Sequence, residues 1–443
     1  METITTDKNT YKLVCGMEIH AELKTKSKMF CSCKNDPFGA DKPNIYTCPT
    51  CLGMPGGLPV ANKKAIEWTI KVGLALGCKI NLFSKFDRKN YFYPDLPKSY
   101  QISQYDLPFC YEGVVETSYG PVKITRIHLE EDTGKLQHKV VDGKKVSLID
   151  FNRSSVPLME IVSEPDIKSP EQAKEYAKKI RDLLRYLEVA DCDMDQGGMR
   201  LEANISLAKN NANELPNFKV EVKNINSFRF AEQAIAFEMD RQAEILDEGK
   251  TPIQETRGWD SNKSITFSQR TKEDAEDYRY FPDPDLPPIQ FTKKQIDEIR
   301  KDLPELADDK INRWEKEFGV EKRYSNLIFD SVEKANILES AFKQVKEANK
   351  LANLLANKKI QFVADDKQLI AKYNKMFAKD EVDQSDIIAA INTVKDENPN
   401  AVEKFKAGQK QVVGFFMGQT LRVLGKKIDT KDLSKLIMHE LEK

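Results

Sequence analysis

Between residues 11 and 23 every second side chain is apolar: Tyr11, Leu13, Cys15, Met17, Ile19, Ala21 and Leu23. The intervening positions include Glu18, His20 and Glu22. A helix would scatter the two sets around its circumference, whereas a strand sends them to opposite faces. The spacing therefore predicts a long half-buried strand, apolar toward a core, with two carboxylates flanking an imidazole on the other side. The same period recurs at residues 125–132, where Arg126, His128 and Glu130 share a face. It recurs again at 199–207, with Arg200, Glu202 and Asn204, and at 219–224, with Glu221 and Lys223.

Helices interrupt these strands without regular βαβ alternation, which points to an α+β fold with a largely antiparallel sheet. Ser169-Pro170-Glu171-Gln172 reads as a capping box with proline at the first helical position. Behind it Ala173, Tyr176, Ala177, Ile180, Leu183, Leu184 and Leu187 form an apolar stripe. A second helix is expected from Ser227 to a C-cap at Gly249. The proline-rich run 281–288 can continue neither a helix nor a central strand and reads as a boundary. Everything beyond it is helical by period. Three parts follow: an α+β domain over 1–292, a helical domain over 293–380 and a small helical tail over 381–443.

A chain of 443 residues exceeds one core, so several domains are in keeping with its length. Its 40% hydrophobic and 31% charged content is that of an ordinary globular protein. No run approaches the ~18 apolar residues of a membrane span, and residues 1–10 have neither signal-peptide nor transit character. Four of the eight cysteines are clustered and four scattered. That fits a reducing cytoplasm with one metal knot better than a disulfide framework.

The cluster is Cys31-x-Cys33 with Cys48-x-x-Cys51. Cys-x-x-Cys lets two thiolates share one tetrahedral ion, so the four are expected to hold a structural Zn²⁺; the alternative is four reduced, buried thiols. The Glu18/His20 and His128/Glu130 faces can bracket a Mg²⁺ ion, or can be a cross-strand ion-pair ladder. The run from Phe86 to Asp95 interleaves Arg88, Lys89 and aromatics such as Tyr91, a pattern that suits either base stacking or an amphipathic strand. Lys404, Lys406, Lys410, Arg422, Lys426 and Lys427 form a wholly basic run with no acid between them, favouring an anionic partner such as RNA. Neither a P-loop, a Rossmann fingerprint nor a kinase signature set is present. A nucleotide, if bound, is held by metal and side chains on a sheet.

Several blocks in order are similar to one family, the B subunits of aspartyl/glutamyl-tRNA amidotransferases. They include Gly16-Met17-Glu18-Ile19-His20-Ala21-Glu22-Leu23, Lys85-Phe86-Asp87-Arg88-Lys89-Asn90-Tyr91-Phe92-Tyr93-Pro94-Asp95, Tyr100-Gln101-Ile102-Ser103-Gln104-Tyr105 and His128-Leu129-Glu130-Glu131-Asp132. Glu160-Ile161-Val162-Ser163-Glu164-Pro165-Asp166, Lys223-Asn224-Ile225-Asn226-Ser227-Phe228 and Asp277-Tyr278-Arg279-Tyr280-Phe281-Pro282 continue the series. Gly414-Phe415-Phe416-Met417-Gly418-Gln419 resembles the family's C-terminal helical domain, which contacts tRNA. This chain departs from the family's pattern at Asp195-Gln196, where two acids are common, and over a short 300–395 region. Its four cysteines occur in only part of the family.

The resemblance implies a cradle-shaped α+β domain that uses ATP to activate the side-chain carboxylate of Glu or Asp misacylated on tRNA, then amidates it. Ammonia would come from a glutaminase partner, with a small third subunit completing the complex. Carboxylate oxygen is a poor leaving group, and phosphorylation replaces it by a good one. Glu18, His20 and Glu130 are the candidates near the metal. Lys89, Tyr91, Arg153 and Arg200 are those for phosphate or carboxylate contacts. Two other readings stay open: a zinc-ribbon RNA-binding protein without catalysis, and a metal-dependent phosphoesterase.

Overall fold

A computed structural model of the chain describes residues 3–210, 212, 214–271, 278–377, 382–426 and 428–443, with Arg270 and Thr271 described by backbone alone. It divides into two compact units, one of Met1–Asn312 with Asp330–Glu333, the other of Arg313–Phe329 with Lys334–Lys443.

In the first unit the alternating segment forms the strand Thr10–Glu22 at the middle of a ten-stranded sheet. On one side lie Pro157–Ser163, Gly120–Glu131, Cys110–Thr117 and Lys79–Ile80 in turn. On the other lie Met199–Lys209, Val220–Ile225, Glu255–Asp260 and Ile265–Thr271, while Thr3–Thr5 pairs back on the central strand. Every pairing is antiparallel except that of Val220–Ile225 with Glu255–Asp260. A parallel pair needs a crossover, and the helix Phe228–Asp247 supplies it. The fold is α+β with a predominantly antiparallel sheet, as the runs of alternation imply.

Tyr11, Leu13, Cys15, Met17, Ile19 and Ala21 are all buried on one face. Helices Lys63–Ala75, Pro170–Tyr186 and Phe228–Asp247 pack against the sheet and close that face. The first comes close because Gly73 lies against Cys110: a Cβ there would sit 2.3 Å from its sulfur. The two expected N-caps are present, Ser169 accepting from the Gln172 amide and Ser227 from the Phe230 amide. The Ser169 box differs in one detail. Gln172 Oε1 accepts from the Lys168 amide at 2.8 Å, one residue before the cap, in place of the cap residue's own amide.

A separate three-stranded sheet joins Asp87–Asn90 to Tyr100–Ser103 and to Phe281–Pro282. The hairpin of Lys135–Val141 and Lys144–Asp150 pairs only with itself. In the second unit, Trp314 is buried against Phe329 and Phe342. Helices Gln384–Glu397, Val412–Leu424 and Thr430–Glu442 bring together Ile391, Val394, Phe416, Leu433, Ile437 and Leu441 as a core of their own.

Candidate active site and metal centre

Register decides which polar residues meet on the open face of the sheet. His20 stands opposite Glu160 on one neighbour and Arg200 on the other, and Glu160 stands in turn opposite His128. A row His128–Glu160–His20–Arg200 thus crosses four strands. Both imidazoles address one carboxylate: Glu160 Oε2 is 3.0 Å from His128 Nε2 and 3.4 Å from His20 Nε2. Glu130 joins from the adjacent row, 3.8 Å from His20 Nε2 and 3.7 Å from His128 Nε2, and accepts a 3.0 Å hydrogen bond from Ser103 Oγ. Burial alone would raise the Glu160 carboxyl, but His128 and His20 hold it well below the usual carboxylate range. Burial favours a neutral His20, yet Glu160, Glu202 and Glu130 lift it to about 9.

Glu18, two residues along the same face, belongs to a second group. It stands opposite Glu202, and with Glu221 the three carboxylates converge within 4.8 Å of one another. Lys223 bridges Glu202 at 3.0 Å and Glu221 at 3.5 Å, while Asn204 Nδ2 donates to Glu18 at 2.9 Å. Burial, then Glu160, Glu202 and Glu221, raise the Glu18 carboxyl.

At the far end, Asp132 receives Arg200 Nη2 and lies 3.7 Å from Arg153 Nε. Opposed by burial, these two guanidiniums hold Asp132 at about 2, while burial and Asp132 push Glu22 well above its ordinary value. Arg153 also donates to the carbonyls of Thr133 and Gly134 at 3.0 and 2.8 Å. Arg153 and Arg200 are therefore brought together.

Lys89 enters from the small sheet, its Nζ 4.8 Å from the Tyr278 ring centre and 5.8 Å from that of Tyr91. Burial disfavours its charge, but Glu130, Tyr280 and Glu160 outweigh it and keep the ammonium raised. Tyr91 lies edge-on to Tyr278, and Asn90 Nδ2 holds the carbonyls of Tyr278 and Arg279 at 3.1 and 2.9 Å. Asp277 of that motif falls outside the described residues.

The four sulfurs of Cys31, Cys33, Cys48 and Cys51 lie within 4.8 Å of one another. Cys48 and Cys51 are 3.8 Å apart, the edge length of a sulfur tetrahedron around an ion at about 2.3 Å. The donor set and spacing fit zinc. His20, Glu130 and Glu160 offer one ligand atom each, again within 4.8 Å. Two carboxylates and an imidazole fit a divalent cation that keeps several waters.

Lys404, Lys406, Lys410, Arg422 and Lys426 are all exposed, on or beside the helices Pro399–Lys406 and Val412–Leu424. Lys427 lies outside the described residues.

Residues 13–297 match the family model of the GatB/GatE catalytic domain, and residues 316–441 match that of the GatB domain. The chain belongs to the GatB/GatE family. It is 43% identical to the B subunit of the aspartyl/glutamyl-tRNA(Asn/Gln) amidotransferase of Thermodesulfovibrio yellowstonii, over 98% of this chain and 99% of that protein. Proteins of the same name from Thermoanaerobacter pseudethanolicus and Ruminiclostridium cellulolyticum are 42% and 40% identical, over 98% and 97% of this chain and 100% and 97% of theirs. The chain is an enzyme of this amidotransferase class, a ligase that forms C–N bonds. Among the described residues no helix is long and apolar enough to cross a membrane.

Sequence reasoning did not single out Glu160, Glu202 or Glu221 as site residues in this GatB/GatE fold. Glu160 carried a signal nonetheless: it is the only ionisable residue in the otherwise apolar or hydroxylic strand Pro157–Ser163, and an acid buried in such a strand requires a partner.

Proposed function

We propose that this chain amidates Glu-tRNA(Gln), Asp-tRNA(Asn) or both, in two steps. ATP first phosphorylates the side-chain carboxylate of the misacylated residue; ammonia then displaces phosphate and leaves the amide. Ammonia is delivered by a glutaminase partner, and a small third subunit completes a cytoplasmic complex. The observation that carries this reading is the row of two histidines converging on Glu160, with Glu130 and Lys89 beside it, in a chain with full-length likeness to amidotransferase B subunits.

His20, Glu130 and Glu160 would hold Mg²⁺, which when bound neutralises phosphate charge. Lys89 supplies a fixed positive charge against Glu130, suited to a transferring phosphoryl group. Arg153 and Arg200, held in place by Asp132, suit a carboxylate or phosphate arriving at that end of the row. Tyr91 and Tyr278 set their rings beside the Lys89 ammonium and hold it in place. The four cysteines hold Zn²⁺ as a closed structural ion. The basic residues from Lys404 to Lys427 hold the tRNA body by its phosphates.

The test is ATP consumption by the assembled complex with each charged tRNA in turn. Consumption that depends on misacylated tRNA, and amide formation that depends on an ammonia donor, are expected. Glu130→Gln should lower turnover by about 10²-fold or more. A passive RNA binder would consume no ATP, and a phosphoesterase would need no ammonia.

A further inference from the structure

Lys28 is completely buried, and its surroundings do not explain why. Its Nζ has two acceptors within reach: the carbonyl of Phe151 at 3.2 Å and Cys51 Sγ at 3.8 Å. Among the described residues no carboxylate forms an ion pair with it. An ammonium in a dry interior is costly unless an anion compensates it. One carbonyl dipole does not supply that compensation, so the anion must come from the cysteine cluster, whose Cys51 sulfur is the other group within reach. Four thiolates around a divalent ion carry a net charge of about −2, and one of them, Cys51, lies against this lysine.

The other acceptor is as informative. Phe151 opens the turn that leads to the Asp132 corner of the sheet. Its carbonyl also receives the Ser154 amide at 3.0 Å, and Ser154 Oγ donates to the Cys51 carbonyl at 2.9 Å. The Ser155 amide reaches the Asp132 carbonyl at 2.9 Å, while the Ser155 carbonyl accepts from the Met29 amide, next to Lys28. Ser155 holds a φ of 67°, a left-handed conformation that a serine keeps only when neighbours enforce it. Between Phe151 and Ser155 sits Arg153, whose guanidinium faces Asp132.

We propose that Lys28 is the counter-charge of the metal-loaded thiolate knot, and that through it the bound ion fixes the turn that carries Arg153 to Asp132. This rests on the zinc reading above. The knot is then a support for one end of the candidate active site. Losing the ion frees the sulfur cluster that is fixed against Lys28 and loosens residues 151–155. Lys28 touches no reacting atom; it is a positioning residue.

The experiment uses the full-length protein as wild type, Lys28→Met and Lys28→Arg, loaded with zinc alone. Zinc retention is measured against a chromophoric chelator, and amide hydrogen exchange of the 151–156 peptide is followed with and without zinc. Lys28→Met should hold zinc about 10- to 100-fold more weakly, as for other residues that support metal ligands. Lys28→Arg, which keeps the charge, should recover most of that loss. In the wild type, zinc removal should speed exchange of the 151–156 peptide and leave the helix Pro170–Tyr186 unchanged. Unaltered retention in Lys28→Met overturns the counter-charge role. Unaltered exchange on zinc removal overturns the link to the turn, and this wild-type arm stands even if the methionine variant does not fold. A wild type that takes up no zinc overturns the zinc reading itself, and this inference with it.

Discussion

His20 and Glu160 face each other across adjacent antiparallel strands, with His20 Nε2 3.4 Å from Glu160 Oε2. His128 approaches the same oxygen at 3.0 Å from the opposite strand, so one carboxylate serves two imidazoles. Replacing its charge by an amide of equal size should leave the fold intact and deprive the row of its shared negative charge. Glu160→Gln is therefore expected to lower tRNA-dependent ATP cleavage by about 10²-fold or more, with an unchanged circular dichroism spectrum. Turnover equal to wild type would make the row a structural ladder.

Metal analysis of purified protein should give about one zinc per chain, falling in Cys48→Ser. Removal by chelation should lower the melting temperature, because ligand binding to the folded state alone adds to its stability. Zinc-free protein with full stability would contradict a structural ion.

The thiols should divide into two classes. Burial pushes Cys15, Cys78 and Cys192 up to about 12, and raises Cys110 well above its ordinary value. At pH 8 these four are neutral, shielded thiols and poor nucleophiles. After chelation, a thiol reagent at pH 8 should leave these four unlabelled in the folded protein and reach only cysteines of the Cys31/Cys33/Cys48/Cys51 cluster. The remaining cysteines should follow on unfolding, as counted by mass spectrometry. Rapid labelling of Cys192 in the native protein would contradict its environment.

The basic run is best tested by substitution. Ending the chain at Asn398 would strip Phe416, Leu433, Ile437 and Leu441 from the core that they form with Ile391 and Val394. Changing the exposed Lys404, Lys406 and Lys410 together to Gln avoids this damage. Binding of tRNA should weaken, and the slope of log affinity against log salt should flatten by about 0.7–0.9 for each phosphate no longer neutralised. Activation at saturating tRNA should be retained. An unchanged slope would leave the run a solvated surface.

Ile19 is fully buried at the centre of the sheet, one residue from His20. Ile19→Ala should cost about 2–5 kcal/mol by denaturant titration. A loss below about 1 kcal/mol would mean that this face repacks more freely than a close-packed core allows.

Much of the sheet was legible because strand alternation is a local property: residues 11–23 and 199–207 each declare their two faces unaided. Which strands become neighbours is not local. Alternation put Glu18 and His20 on one face, but only the order of pairing gives His20 to Glu160 and Glu130, and Glu18 to Glu202 and Glu221. The cysteine spacing announced a shared ion, whereas the buried lysine beside it looks in sequence like any surface Lys between Ser27 and Met29. Its environment is made by Phe151, 123 positions away.

The hairpin of Lys135–Val141 and Lys144–Asp150 pairs only with itself, between the strands that carry His128 and Glu160. Those strands tolerate no odd shift, since a slip by one residue would turn Glu160 to the apolar side and bring Met159 or Ile161 into its place. Lengthening the hairpin imposes no such shift. It gives this chain a place to gain or lose residues over evolutionary time, or to accept an inserted tag, while the spacing of the two histidines stays the same.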